Sequence, residues 1–182
     1  MPSLEEKLDK EILSMIEESP ILQKVYDYLR KNPKIASLQD MANIVLVQRM
    51  KYNDHGKVHA RITTLNALKI LNILGHSTIT NEGWGTLEDS KLVVMTAAFL
   101  HDVGNAVHRD EHEVLTVVLV KPFVEEILDM VYGNDEDKKQ KIASMIYECI
   151  VCHMGHYQPT SIEARIVATA DGCDMEEGRA RI

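Results

Sequence analysis

The chain has 182 residues, of which 45% are hydrophobic, and its 20 lysines and arginines against 28 aspartates and glutamates give a formal net charge of −8. This length and apolar content are typical of a folded globular domain and argue against a disordered chain. The acidic balance argues against general nucleic-acid binding, and no apolar stretch approaches the ~20 residues that cross a bilayer.

Helix-start signals divide the first fifty residues into three predicted helices. Ser3-Leu4-Glu5-Glu6 fits a capping box ahead of apolar residues at helical spacing. Ser19 and Pro20 supply an N-cap and a first-turn proline for a second helix, which we expect to end near Pro33. Ser37-Leu38-Gln39-Asp40 opens a third helix. We expect these helices (residues 1–50) to cap the rest of the chain or to mediate association, for example as a homodimer.

The remaining segments are also predicted to be helical. An amphipathic segment over residues 54–74 ends at Gly75, a candidate left-handed cap, and residues 76–85 are predicted to form a loop. Thr86-Leu87-Glu88-Asp89 begins the next predicted helix, and the apolar segment 88–102 predicts that this helix is buried and central. Further helices are predicted over residues 111–120, 122–132, 135–152 and 161–170. With no internal repeat or linker, the sequence predicts one all-α domain over residues 1–182.

Histidines are the unusual feature of the composition. Seven of the eight fall in groups, many at helical contact spacing: His55 and His59; His101, His108 and His112; His153 and His156. Residues three or four apart share one face of a helix, and imidazole is a common ligand for zinc, iron, nickel and manganese ions. A lone histidine is usually an ordinary surface or core residue, but this grouping favours a shared metal site.

The segment Leu100-His101-Asp102-Val103-Gly104 places an adjacent histidine and aspartate at the end of the apolar helix. An ionised carboxylate in apolar surroundings is costly unless it is hydrogen-bonded, paired or bound to a cation. A metal ion would meet that need. The alternative is that Asp102 and Gly104 only end the helix, with His101 near the favourable end of its dipole.

In their order and surroundings, these residues resemble the HD superfamily of metal-dependent phosphohydrolases. The family has a first histidine in an early helix, a His-Asp doublet after a buried helix and a later aspartate. These features correspond to His59, His101-Asp102 and Asp171, within a resemblance over residues 52–175. The resemblance implies a helical bundle around a divalent metal ion (Mn, Fe, Ni, Co, Zn or Mg) that is bound by His59, His101, Asp102 and Asp171.

The same resemblance implies the hydrolysis of a phosphomonoester or phosphodiester by metal-activated water, with a nucleotide as a substrate typical of the family. Asp102 would act catalytically, by orienting or bridging to the attacking hydroxide. His112, His153 and His156 are candidates for binding a second ion or the substrate. The partner is then a small phosphorylated molecule rather than a membrane or a nucleic acid.

The phosphate contacts are expected to differ from those of many relatives. Where those relatives have lysine shortly after the doublet, this chain has Asn105. Candidate substrate or phosphate contacts are His55, Asn66, Asn105, His108 and Arg109. Lys57 and Arg61 are expected to be solvated, and the arginines near the end of the chain, Arg179 and Arg181, are placed to approach an anion.

Two alternatives come from the same residues. The missing lysine motivates a non-catalytic or weakly catalytic HD domain that binds a regulatory ligand. The surplus of histidines motivates a di-iron oxygenase on the same scaffold.

Two short motifs compete with the HD interpretation. Cys149-Ile150-Val151-Cys152-His153 spells the c-type haem attachment pattern, but that chemistry normally follows export, and we expect a cytoplasmic protein because the start lacks a secretory signal. A structural zinc site formed by Cys149, Cys152, His153 and His156 is a better rival, although its members come from one short stretch. His108-Arg109-Asp110-Glu111-His112 fits the H-x-x-E-H pattern of zinc peptidases but leaves the His-Asp doublet without a role.

Overall fold

The computed structural model describes residues 2–174 as a series of helices. In chain order these are α1 (Leu4–Met15), α2 (Pro20–Lys31), α3 (Pro33–Asn43), α4 (Lys57–Leu74), α5 (Thr78–Asn81), α6 (Leu87–Leu100), α7 (His112–Tyr132), α8 (Glu136–Cys152) and α9 (Ile162–Gly172). A π-helical turn, Ile44–Arg49, follows α3, and a 3-10 turn, Val103–Ala106, follows α6. No strand occurs within residues 2–174, so the prediction of an all-α fold is confirmed.

Most helix starts carry the caps that the sequence predicts. Ser3 begins α1 with a reciprocal capping box, and Thr86 begins α6 in the same way. The Ser19 hydroxyl accepts a hydrogen bond from the Leu22 N–H at the start of α2. Gly75 ends α4 in the left-handed conformation, with φ of 67°. Local side-chain chemistry therefore determines where these helices begin and end.

Three predicted boundaries are wrong. Helix α3 begins at Pro33 because the Asn32 side chain accepts hydrogen bonds from the first free N–H groups of that helix. Helix α7 continues through Pro122, where a break was expected, since Val120 and Val124 on either side are buried in the same core. The predicted loop contains the short helix α5, which Ser77 caps.

The central helix of the bundle is α6. Every residue from Leu92 to Leu100 is buried, and α6 packs against α2, α4, α5, α7, α8 and α9. Because α6 is surrounded, the two residues that follow it lie inside the bundle. Among the helices of residues 2–174, none combines the length and the hydropathy that crossing a membrane requires.

The N-terminal helices cap this bundle through a buried polar network. Helix α1 packs on α4, where Arg61 is only 5% exposed and donates from Nε to Asp9 Oδ1 at 2.7 Å. The Tyr26 hydroxyl donates to the same oxygen at 2.6 Å. The expectation that Arg61 is solvated is therefore wrong, because a carboxylate of α1 compensates its burial.

Candidate metal centre

Helix ends from five parts of the fold converge on one buried point. The side chains that meet there are His59 in the first turn of α4, His101 and Asp102 after α6, His112 at the start of α7, His153 after α8, and Asp171 in the last turn of α9. All four histidines are at most 5% exposed. The structure thus brings together the four primary ligands implied by the family resemblance and two of the three candidates for a second ion.

Four side-chain atoms form what we call the first subsite: His59 Nε2, His101 Nε2, Asp102 Oδ2 and Asp171 Oδ1. The two Nε2 atoms are 3.2 Å apart. His59 Nε2 lies 3.4 Å from the Asp102 oxygen and 3.1 Å from that of Asp171, and His101 Nε2 lies 3.3 and 3.7 Å from the same atoms. Ligands that bind one ion through bonds of about 2.1 Å are about 3.0–3.4 Å apart. These spacings therefore suit a single metal ion.

Three further atoms form the second subsite: Asp102 Oδ1, His112 Nε2 and His153 Nε2. The two Nε2 atoms are 3.2 Å apart. Asp102 Oδ1 lies 3.1 Å from the nitrogen of His112 and 3.7 Å from that of His153. Asp102 therefore presents one carboxylate oxygen to each subsite, as expected of a carboxylate that bridges two ions.

The hydrogen bonds of the four imidazoles test whether these residues fit a metal. Each Nδ1 lies 2.6–2.9 Å from an oxygen: that of Asp174 for His59, and the backbone carbonyls of Ala98, Arg109 and Ile150 for His101, His112 and His153. Because these oxygens accept, each Nδ1 carries a proton and each Nε2 faces the centre. The carboxylates there are stabilised either by the second proton of an imidazolium or by a cation that the Nε2 lone pairs bind. The donor set therefore fits a divalent metal ion.

Electrostatic effects within the centre are correspondingly large. Burial alone would lower the pKa of His101, but Asp102 and Asp171 outweigh it and raise that pKa to about 9. Burial would likewise raise the pKa of Asp102, yet the surrounding imidazoles hold it well below its ordinary value. Burial keeps the pKa of His153 below its ordinary value, which favours the neutral form that binds metals.

A layer of neighbouring groups fixes these ligands. The Asn105 amide donates to Asp102 Oδ1 at 2.9 Å, so this predicted phosphate contact is fully buried and orients a ligand instead. The Thr116 hydroxyl accepts from Gly104 N–H and donates to the His101 carbonyl, both at 2.8 Å. Asp174, which is 1% exposed, orients His59. Sequence reasoning missed Asp174, although its position three residues after Asp171 was the available signal.

Of the other predicted residues, two lie beside the centre. His55 lies in the segment before α4, and its Nδ1 is 2.6 Å from Asp102 Oδ2. Arg109 is half-buried, with one guanidinium nitrogen 3.5 Å from Asn105 Oδ1 and the other 3.9 Å from Met154 Sδ. Both positions remain compatible with contact to a substrate.

The remaining predicted contacts lie outside the two subsites. Asn66 follows His59 by seven residues on α4, which is about 10 Å along the helix axis. His108 is exposed and accepts a hydrogen bond from the Asp110 N–H. His156 is largely exposed and contacts Glu113 rather than either subsite. Arg179 and Arg181 lie outside the described residues.

The competing motifs do not form sites in this fold. Cys149 is buried in the core, where burial raises the pKa of its thiol. None of the potential metal-binding groups found within residues 2–174 includes a cysteine. In the H-x-x-E-H segment, His108 is exposed while His112 is buried in the second subsite, so the two histidines do not converge on one ion.

Comparisons with known proteins agree with this geometry. The model of a family described as HD domain matches residues 58–176. An uncharacterized protein of Methanocaldococcus jannaschii is 38% identical over 179 residues, an alignment that covers 96% of this chain and 68% of that protein. No solved structure matches the chain.

Proposed function

Because the chain belongs to the HD domain family, we propose that it is a metal-dependent phosphohydrolase that cleaves a phosphomonoester or phosphodiester of a small molecule. A nucleotide is the candidate substrate. The observation that carries the proposal is the convergence of four Nε2 atoms and two carboxylates on one buried point. Imidazoles and carboxylates that face one another in this way are typical ligands of divalent cations.

The side chains of the centre would hold one ion in each subsite, and Asp102 would bridge them. A divalent ion bound there supplies Lewis-acid chemistry: it lowers the pKa of water and neutralises charge on a phosphoryl group. The contribution of the protein is to fix the ligand positions before substrate arrives. Asn105 performs this task for Asp102, since its amide donates both to the Asp102 carboxylate and to the Asp102 carbonyl.

In the proposed hydrolysis, His55 is the candidate proton donor to the leaving group. Its Nδ1 lies against Asp102 Oδ2, and its side chain retains 11% exposure. A carboxylate on Nδ1 fixes the ring orientation. Proton transfer from His55 to the alkoxide oxygen would then accompany breaking of the bond to phosphorus.

Arg109 supports the hydrolase proposal as the residue that would bind the phosphoryl group of the substrate. Its half-buried guanidinium contacts an amide oxygen and a thioether, and no carboxylate within residues 2–174 lies at ion-pair distance from it. A partly desolvated cation without an anionic partner is favoured to bind one. Because Asn105 links Arg109 to Asp102, an anion on Arg109 would lie beside the centre.

The test is hydrolysis of p-nitrophenyl phosphate, bis-p-nitrophenyl phosphate and a panel of nucleotides by protein reconstituted separately with Mn²⁺, Co²⁺, Fe²⁺, Ni²⁺, Zn²⁺ or Mg²⁺. We expect turnover with at least one ion and its loss in His101→Ala and Asp102→Ala. His108→Ala is the matched control, because His108 is exposed and lies outside both subsites. Ligand binding without turnover under every ion would contradict catalysis and favour the regulatory HD domain.

The centre also favours one second candidate. Two adjacent subsites rich in imidazole and bridged by a carboxylate are compatible with two iron ions and an oxidation reaction. An anaerobic assay separates the two functions, because hydrolysis proceeds without oxygen. Product formation that requires both iron and oxygen would replace the hydrolase proposal.

A further inference from the structure

Glu113 is a buried carboxylate that neither subsite uses. It follows His112 in the first turn of α7 and is only 2% exposed. Its Oε1 accepts a hydrogen bond from His156 Nδ1 at 2.8 Å. Its Oε2 makes no hydrogen bond within the described residues and lies 3.3 Å from His112 Nδ1. A buried carboxylate is costly, so its position beside a histidine of the centre requires a physical reason.

The Glu113 and His156 pair joins the two elements that supply the second subsite. His112 begins α7 and His153 follows α8. The hydrogen bond between Glu113 and His156 connects the residue after His112 to the segment just beyond His153. The pair therefore holds together the two helix ends whose Nε2 atoms are 3.2 Å apart.

The charge of Glu113 acts on His112 in the direction that metal binding needs. The His112 Nδ1–H donates to the Arg109 carbonyl at 2.9 Å, and Glu113 Oε2 lies 3.3 Å from the same Nδ1. Negative charge beside Nδ1–H makes Nε2 a stronger ligand, and partners of this kind change metal affinity by about 10–100-fold. The negative charge is also favoured by the N-terminal end of the α7 dipole.

We propose that Glu113 is a positioning residue for the second subsite, which it stabilises by charge on His112 and by its hydrogen bond to His156. This inference rests on the two-subsite part of the proposed function. It assigns Glu113 no contact with an ion or substrate, since its carboxylate lies on the Nδ1 side of His112 and the centre lies on the Nε2 side.

The experiment is a calorimetric and spectroscopic titration of chelator-stripped protein with Co²⁺. In Glu113→Gln the amide oxygen can still accept from His156, while the charge is lost. We expect the second Co²⁺ equivalent to bind about 10-fold more weakly or worse, with the first equivalent and the melting temperature of the stripped protein unchanged. Glu148→Gln is the matched control, because Glu148 bonds Thr160 and Ser161 and touches no ligand.

His156→Ala tests the hydrogen-bonded link separately at an exposed position. It keeps the charge of Glu113, so we expect a smaller loss of affinity, again confined to the second ion. If the wild-type protein binds two ions and both variants bind the second ion with unchanged affinity, the role of Glu113 is overturned while the proposed function stands. A wild-type protein that binds a single ion would overturn both this role and the second subsite of the proposed function.

Discussion

At the residue scale, His55 is expected to act in hydrolysis, because its Nδ1 contacts Asp102 at 2.6 Å and its side chain retains 11% exposure. We expect His55→Gln to lower kcat by about 10²–10⁴-fold for alkyl phosphates, whose leaving alkoxide needs a proton. The loss should be much smaller for p-nitrophenyl phosphate, because nitrophenolate leaves without protonation. Steady-state assays of both substrates, with metal content measured in parallel, check this. Equal losses for the two substrates would contradict proton donation by His55.

Arg109 is expected to act on substrate affinity. Arg109→Ala removes the guanidinium but not the backbone carbonyl that orients His112, so metal content should be retained. We expect KM to rise about 10-fold or more, and Arg109→Lys to restore part of the affinity. Lys57→Ala is the control, since Lys57 is paired with Asp40 at 2.7 Å. A variant with unchanged KM would show that the phosphoryl group is held elsewhere.

At the scale of elements, the 3-10 turn and α7 approach so closely that only glycine fits at position 104. A Cβ on Gly104 would lie 2.0 Å from the His112 carbonyl oxygen and 2.7 Å from the Thr116 N. Gly104→Ala must therefore displace the start of α7, and we expect a fall in melting temperature together with loss of the second ion. Gly172→Ala is the control, because a Cβ there meets open space. Retention of both ions by Gly104→Ala would contradict this account.

Asp89 connects three helices and gives the fold a dependence on pH. Burial alone would raise its pKa, but hydrogen bonds from Tyr132, Lys138 and the Thr86 N–H outweigh burial and lower it. A carboxylate with a depressed pKa stabilises the fold above its ordinary pKa and loses that contribution as the pH falls through the folded value. We expect Asp89→Asn to cost about 2 kcal/mol at pH 7, and less below about pH 4. Urea unfolding of both proteins across pH 3–7 measures the difference, and a constant difference would contradict the prediction.

The helix boundaries that the sequence predicted correctly are those set by local side-chain caps. Ser3, Ser19 and Thr86 satisfy free N–H groups at helix starts, so each boundary follows from a few adjacent residues. The break expected at Pro122 did not occur because tertiary burial on both sides outweighs the lost hydrogen bond. The early start of α3 depended on Asn32, whose side chain competes with the later serine as a cap.

At the scale of the whole molecule, the sequence pattern did not show which histidines meet in one site. The family resemblance supplied that grouping. His59, His101 and Asp171 are distant in sequence, and their meeting depends on the packing of α4, α6 and α9. Asp174 and Glu113 lie outside the family's ligand pattern and were missed. Their roles depend on contacts with the imidazoles of His59 and His112, which spacing along the chain does not show. His156 shares helical spacing with His153, yet the loop after α8 turns it outward.

Helix α3, one of the N-terminal helices, contacts the elements that surround the centre. Gln39 of α3 donates to the Phe99 carbonyl at 3.1 Å, near the end of α6 where the His-Asp doublet begins. Helix α3 packs on the 3-10 turn that carries Asn105. The N-terminal helices therefore pack against the segment that orients Asp102.

The most direct test of this account is the metal content of protein purified without added metal, measured by plasma mass spectrometry for the wild type and three variants. We expect about two equivalents per wild-type chain, loss of both in Asp102→Ala, and loss of about one in His153→Ala. Asp110→Ala, which changes an exposed carboxylate, should keep the wild-type content. Metal that survives Asp102→Ala but is lost with His153→Ala would place the site elsewhere and contradict the bridging centre.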